Sequence, residues 1–297
     1  PRALVLEAQI RQPRDLQGAL GVVDRHFSEF DVSHTVAALS RLAGLAAGSV
    51  APRSSLSMAE AEVPAKTKAG SSLAGSEDAL TLQSERLIRN LESSRASLEP
   101  NEVVSTAWSL AKLQRNQESL WLDLTTAIQA KASAFTPQQI ANAAWSLARV
   151  GNYHTPLWHS LATEAILKIP RAACAEVSMT LWAFANMGVS TATPWPELFS
   201  TSATQVKARL SEFSPTSIAN LAWAFAKSAQ SGSGCSGDDL QELYSQLNAR
   251  AVEVMDRFSG WEVATLSWAL VSVQVIDEPV LARLADRACS CSLSVSN

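Results

Sequence analysis

Thr136-Pro137-Gln138-Gln139-Ile140-Ala141-Asn142-Ala143-Ala144-Trp145-Ser146-Leu147-Ala148-Arg149-Val150-Gly151 decides the reading of this chain, because it recurs. Its relatives are Pro100 to Leu113, Cys174 to Met187, Pro215 to Ser228 and Gly260 to Val273. With the first residue of each copy as place zero, Val or Ile stands at the third place, Trp at the eighth and Leu or Phe at the tenth. The anchors are Trp108, Trp145, Trp182, Trp223 and Trp268, at intervals of 37, 37, 41 and 45 residues. Self-similarity at such a period is the mark of a repeat architecture.

A second landmark precedes four of the copies: Leu120-Trp121, Leu157-Trp158, Leu198-Phe199 and Leu243-Tyr244. From its aromatic to the next signature Trp the distance is always 24 residues. A constant interval belongs to a folded unit and a variable one to a loop that tolerates insertion. The longest insertion, Ser231 to Gly237, has loop composition. Each unit is therefore two elements, the aromatic pair first and the Trp signature second.

Both elements read as helices. Ile140, Ala144, Leu147 and Ala148 fall on one helical face, as do Leu120, Leu124 and Ile128. Thr136 and Ser214 can cap, Pro137 and Pro215 suit the first helical position, and Ser259 with Glu262 has capping-box spacing. Gly151 and Gly188 stand where a helix stops. Alanines at 107, 144 and 222, and at 111, 148, 185 and 226, let helices approach closely. Hairpins that cannot bury a face alone must stack, which predicts an all-α solenoid.

The rest of the chain is organised around this domain. Residues 1–43 read as a degenerate N-terminal repeat, with Asp31 to Leu42 as its signature and Ala37 at the Trp place. Residues 44–78, rich in Ala, Ser, Gly and Pro and without aromatics, have linker composition. Residues 79–297 form the repeat domain of about five hairpins. The last one has its pair as Val280-Leu281 and no further Trp signature, so a C-terminal truncation is expected. The chain begins at Pro1, so no targeting peptide is readable.

Composition excludes little. No apolar run approaches the ~20 residues of a membrane-spanning helix. Cys174, Cys235, Cys289 and Cys291 lack zinc spacing, and a reducing compartment without disulfides is expected. His26, His34, His154 and His159 form no metal motif. Glu102, Glu176 and Glu262 recur at one place, which suits helix-start electrostatics rather than an acid–base pair. No catalytic constellation, metal site or cofactor site emerges, and no enzyme activity is expected.

What remains is one side of the signature helix, taken as the second, fifth, ninth and twelfth places. Ser105, Lys112, Gln139, Asn142, Ser146, Arg149, Asn186, Asn220, Lys227 and Thr265 occupy it as candidate RNA-binding residues. An amide at the fifth place can read a base edge, and a cation at the twelfth can meet a phosphate. The ninth place, always Ser or Ala, leaves room for a ligand. A solvated amphipathic helix accounts for the same residues, and the net charge of −4 speaks against nucleic acid. One buried Trp per repeat reads as core rather than as a stacking platform.

The copies starting at Pro137 and Pro215, with Asn142 and Asn220 at the fifth place and Trp145 and Trp223 at the eighth, resemble the octotricopeptide repeat. The same signature marks heptatricopeptide-type proteins, FAST-kinase-like proteins and the RNA-editing substrate-binding complex proteins of kinetoplastids. The resemblance covers roughly residues 80 to 290. Cys174 and Gly260 depart at the Pro, and Met179 and Thr265 depart at the Asn. It implies binding of single-stranded organellar transcripts in their processing, editing, stability or translation, in a mitochondrion or chloroplast, with other RNA-processing proteins as further partners. A protein-binding scaffold of the tetratricopeptide or HEAT kind is the alternative expectation.

Overall fold

In the computed structural model, residues 2–48, 71–94, 98–188, 194–232, 235, 237–275 and 278–294 are described. Among them every regular element is helical. The order is α1 (Arg2–Arg11), α2 (Leu16–His26), α3 (Val32–Gly48), α4 (Ser71–Ser94), α5 (Pro100–Lys112), α6 (Glu118–Lys131), α7 (Pro137–Val150) and α8 (Thr155–Lys168). It continues with α9 (Cys174–Asn186), α10 (Trp195–Ala208), α11 (Pro215–Gln230), α12 (Gly237–Glu253), α13 (Gly260–Ser272) and α14 (Glu278–Ser294). The chain divides into two compact units, Pro1–Ala134 and Phe135–Asn297.

In the second unit, neighbouring helices pack in a chain. The signature helices α7, α9, α11 and α13 lie side by side in sequence order, with α8, α10, α12 and α14 as a second row behind them. The fold is an all-α solenoid of stacked hairpins.

Local chemistry explains the constant interval of 24 residues. The second-row helices α8, α10 and α12 each run into a three-residue 3-10 turn: Ile169–Arg171, Leu210–Glu212 and Met255–Arg257. A buried apolar residue follows, Ala172, Phe213 or Phe258, and then the N-cap of the next signature helix. Turn, plug and cap have fixed length, so the spacing cannot drift. The sequence pattern around the Trp does not by itself reveal this plug two residues ahead of each signature.

Helix ends follow the chemistry expected of them. Gly151 and Gly188 take left-handed φ of 70° and 83°. The same place, fourteen residues into the copy, holds Gln114 and Gln274 at φ of 54° and 57°, where a side chain is strained.

The second row supplies the bulk of the core. Trp158 is fully enclosed, its ring edge-on to Phe184 at 4.9 Å and 6.1 Å from Trp195. Its indole N–H donates to the Asn152 carbonyl at 2.7 Å, which ties the preceding loop to the core. Phe199 meets Phe225 edge-on at 5.7 Å, and the Tyr244 hydroxyl donates to the Ala222 carbonyl.

In the first unit, α3 packs against both α4 and α5, and α1 and α2 close on it. The Ser33 hydroxyl donates to Glu102 Oε1 at 2.5 Å, and the Ser40 and Ser109 hydroxyls lie 3.0 Å apart. Helix α3 thus packs side by side with α5, the first Trp-bearing signature helix. Helix α3 runs on to Gly48 and α4 begins at Ser71, so the expected borders at 43/44 and 78/79 fall inside helices. Residues 49–70, the body of the stretch read as a linker, lie outside the described residues.

Asp31 caps α3 by accepting from the His34 backbone N–H at 2.9 Å, so Val32 is the equivalent of Pro100. Counting from there puts Ser40 at the Trp place and Ala37 at the fifth. The alignment with Ala37 under the Trp is corrected by three residues, because the cap sets the register and the worn sequence does not.

Candidate nucleic-acid interface

Each signature helix presents its sides in a fixed order. Places two and nine look back at the preceding helix: Thr216, at the first place of α11, donates to Glu262, at the second place of α13. Places four and eleven look forward to the next helix. Between those sides lies the front, formed by places one, five, eight and twelve.

This corrects the open side read from the sequence. The ninth place is not a recess for a ligand: Ser109, Ser146, Ala183, Ala224 and Ala269 are all 0% exposed. Small residues stand there because the helices touch there. Ser146 is further spent on its own helix, its hydroxyl donating to the Asn142 carbonyl at 2.7 Å. The second place belongs to the helix start. Gln139 Oε1 accepts the Thr136 backbone N–H at 2.8 Å, and Glu102, Glu176 and Glu262 do the same for residues 99, 173 and 259.

The eighth place joins the front instead. In the second unit the indoles form a ladder, with Trp182 and Trp223 centroids 6.0 Å apart and Trp223 and Trp268 6.3 Å apart. Trp145 and Trp182 are buried and Trp223 half-buried, while Trp268 at the end of the row is 40% exposed. The tryptophans are thus core toward their neighbours and surface toward the front.

The remaining candidates also lie on this front. Asn142 is half-buried, and Asn220 is only 4% exposed. Among the described residues neither amide has a hydrogen-bond partner. Thr265 is buried, with a hydroxyl that lacks a partner. Asn186 is exposed at the twelfth place of α9. The Lys227 ammonium sits 5.8 Å from the Trp223 ring centre and 5.3 Å from that of Trp268. In the first unit Lys112 lies over its own Trp108 at 5.5 Å, with Ser105 half-buried at the fifth place.

The charge distribution separates this front from the rest. Among the described residues, Arg149 and Lys227 form no ion pair. The signature carboxylates are turned away to their caps. The front of the second unit therefore carries cations and no anion, although the whole chain is at −4. In the second row and its turns several cations are paired: Lys168 with Glu164 at 2.8 Å, Arg209 with Glu212 at 3.1 Å, Arg250 with Glu253 at 2.7 Å, and Lys207 with Glu242.

The cysteines stand apart from this front. None of the four forms a disulfide. Burial pushes Cys235 up to about 11, and burial likewise raises Cys174 against the pull of Arg209 beside it.

Fold and front together define a helical-repeat protein whose second unit presents a row of signature-helix faces carrying indoles, amides and cations. The family model of the RNA-editing substrate-binding complex 6 protein matches residues 75–295, and the chain belongs to that family. No curated protein matches the chain.

Proposed function

We propose that this chain binds single-stranded RNA along the front of its signature helices and acts, without catalysis of its own, in RNA editing. The observation that carries the reading is the charge sorting. Arg149 and Lys227 form no ion pair among the described residues, Lys227 lies over the rings of Trp223 and Trp268, and Glu176 and Glu262 are folded back onto helix starts. Phosphates meet the cations, and the free amides of Asn142 and Asn220 address base edges seven residues away, ~10 Å along the helix. Asn186 and Thr265 complete the proposed contacts of the second unit, and Ser105 and Lys112 are those proposed for the first. Gln139 and Ser146 are left out, because the cap and the helix backbone use their polar atoms.

The family match supports the editing context, and the octotricopeptide resemblance supports reading by repeat. We place the protein in the mitochondrion on the same grounds, and the chloroplast has no comparable support. The test is a titration of the purified chain with single-stranded RNA across a salt series. Binding that weakens with salt, and weakens further in Lys227→Glu, is the expected result. No binding at low salt would replace this reading with that of a protein scaffold.

A further inference from the structure

The fifth places along the front of the second unit differ in depth. Asn142 is half-buried, whereas Met179, Asn220 and Thr265 are 4%, 4% and 8% exposed. The first places, one turn earlier, stay nearer the surface, with Ala175 and Trp261 exposed and Thr216 half-buried. On α9, α11 and α13 the fifth places are therefore recessed, with the Trp ladder one turn further along. Helix α11 lies inside the row, packed by α9 on one side and α13 on the other, so two neighbours set the depth of Asn220.

An amide is costly at that depth. Among the described residues Asn220 has no hydrogen-bond partner, and the hydroxyl of Thr265, at the same place of the next helix, is buried without one. Ser217, one turn earlier on α11, shows the ordinary outcome: its hydroxyl meets those of Ser214 at 3.1 Å and Ser178 at 3.3 Å. A buried polar group left unpaired destabilises the fold. The packing does not require an amide there, because α9 fills the same place with Met179 at equal depth. Solvent reaches the half-buried Asn142, so its amide carries a smaller penalty.

We propose that Asn220 is the specificity-determining residue of the front, its amide kept open for the Watson–Crick edge of one unpaired RNA base. This rests on the RNA reading given above. The amide sets a carbonyl acceptor beside an N–H donor, and the Watson–Crick edge of every base sets a donor beside an acceptor. That edge lies farthest from the ribose, so it reaches a recessed group while the phosphate stays outside. Lys227, two turns on and 5.8 Å from the Trp223 ring centre, is placed to meet that phosphate. In a duplex the edge is already paired, which restricts the site to single strands. A base whose edge cannot pair seals Asn220 from water and leaves it unpartnered, so the wrong base is rejected. Discrimination is concentrated at this repeat rather than shared evenly along the row.

Selection from a random single-stranded RNA pool, with sequencing of the bound fraction, tests this. The parent chain should enrich a motif with one dominant position. Asn220→Met, which copies the residue of α9, should flatten that position alone and melt at or above the parent, because it removes an unpaired buried amide. Asn220→Ala should act alike on the motif, and Asn142→Met should leave the dominant position in place. In the winning RNA, a methyl group on the Watson–Crick nitrogen of that base (N1 of a purine, N3 of a pyrimidine) should weaken binding to the parent by at least about tenfold, and binding to Asn220→Met far less. RNA binding without a dominant position would overturn this inference and leave the RNA reading standing. So would a dominant position that survives both Asn220 variants or is lost in Asn142→Met, or a methyl penalty equal in parent and variant. Melting temperatures clearly below the parent in both Asn220 variants would make the amide structural and overturn it as well. No binding of any RNA at low salt would overturn both readings.

Discussion

The two helix rows of the second unit are built from hairpins of one sequence family, yet they spend their side chains differently. The second row carries large aromatics such as Trp158 into the core and pairs cations such as Lys168 and Lys207 with carboxylates. The signature row packs on alanine and serine, spends its carboxylates on caps and, among the described residues, leaves the amides of Asn142 and Asn220 without hydrogen-bond partners and Arg149 and Lys227 without ion pairs. The lesson is that stability and recognition are carried by opposite sides of one repeat, so a substitution in one row should leave the other property nearly intact.

The largest expected effect breaks the second row. Trp158→Ala removes an enclosed indole between Phe184 and Trp195 and should cost ~3–5 kcal/mol in urea denaturation. Trp268→Ala, on the open end of the ladder, should cost less than ~1.5 kcal/mol by the same measurement. Equal losses would mean that the ladder is core along its whole length.

Binding should show the reverse pattern. Asn142→Ala should weaken a selected RNA by ~1–3 kcal/mol and leave unrelated sequences unchanged. Arg149→Ala and Lys227→Ala should weaken all sequences and each reduce the slope of log K against log salt by ~0.7. Lys207→Ala, whose ammonium is already paired with Glu242, should leave that slope alone. A change as large for Lys207 as for Lys227 would erase the distinction between the rows.

Two smaller effects sharpen the account of the signature helix. Thr136 accepts the Gln139 backbone N–H at 3.2 Å, so Thr136→Ala should destabilise by ~1 kcal/mol. Gln274→Gly relieves a left-handed side chain and should stabilise by ~0.5–1 kcal/mol in thermal melts. No gain there would mean that the Gln274 backbone is not strained.

Much of this molecule was legible in its residues because the signals are local and repeated. Thr136, Ser259 and Glu262 announce caps, Pro137 and Pro215 announce first turns, and Gly151 and Gly188 announce stops. A pattern that returns five times is hard to mistake. The all-α solenoid, its hairpin unit and the place of its loops all follow from chemistry within a few turns of chain. The plug was not read, because its residue varies from Ala172 to Phe213 and Phe258 and only burial unites the three.

Which side of the signature helix stays open was decided by the tertiary structure alone. On a helical wheel, places nine and eight differ by one residue, and the side read from the sequence overlaps the true front at places five and twelve. Alanine or serine at the ninth place suits a solvent-lined recess and a close helix contact equally well, since a small side chain has no strong preference for either. Packing of the preceding helix settles the matter: it covers Ala183 and Ala224, and Trp223 and Lys227 are left on the front.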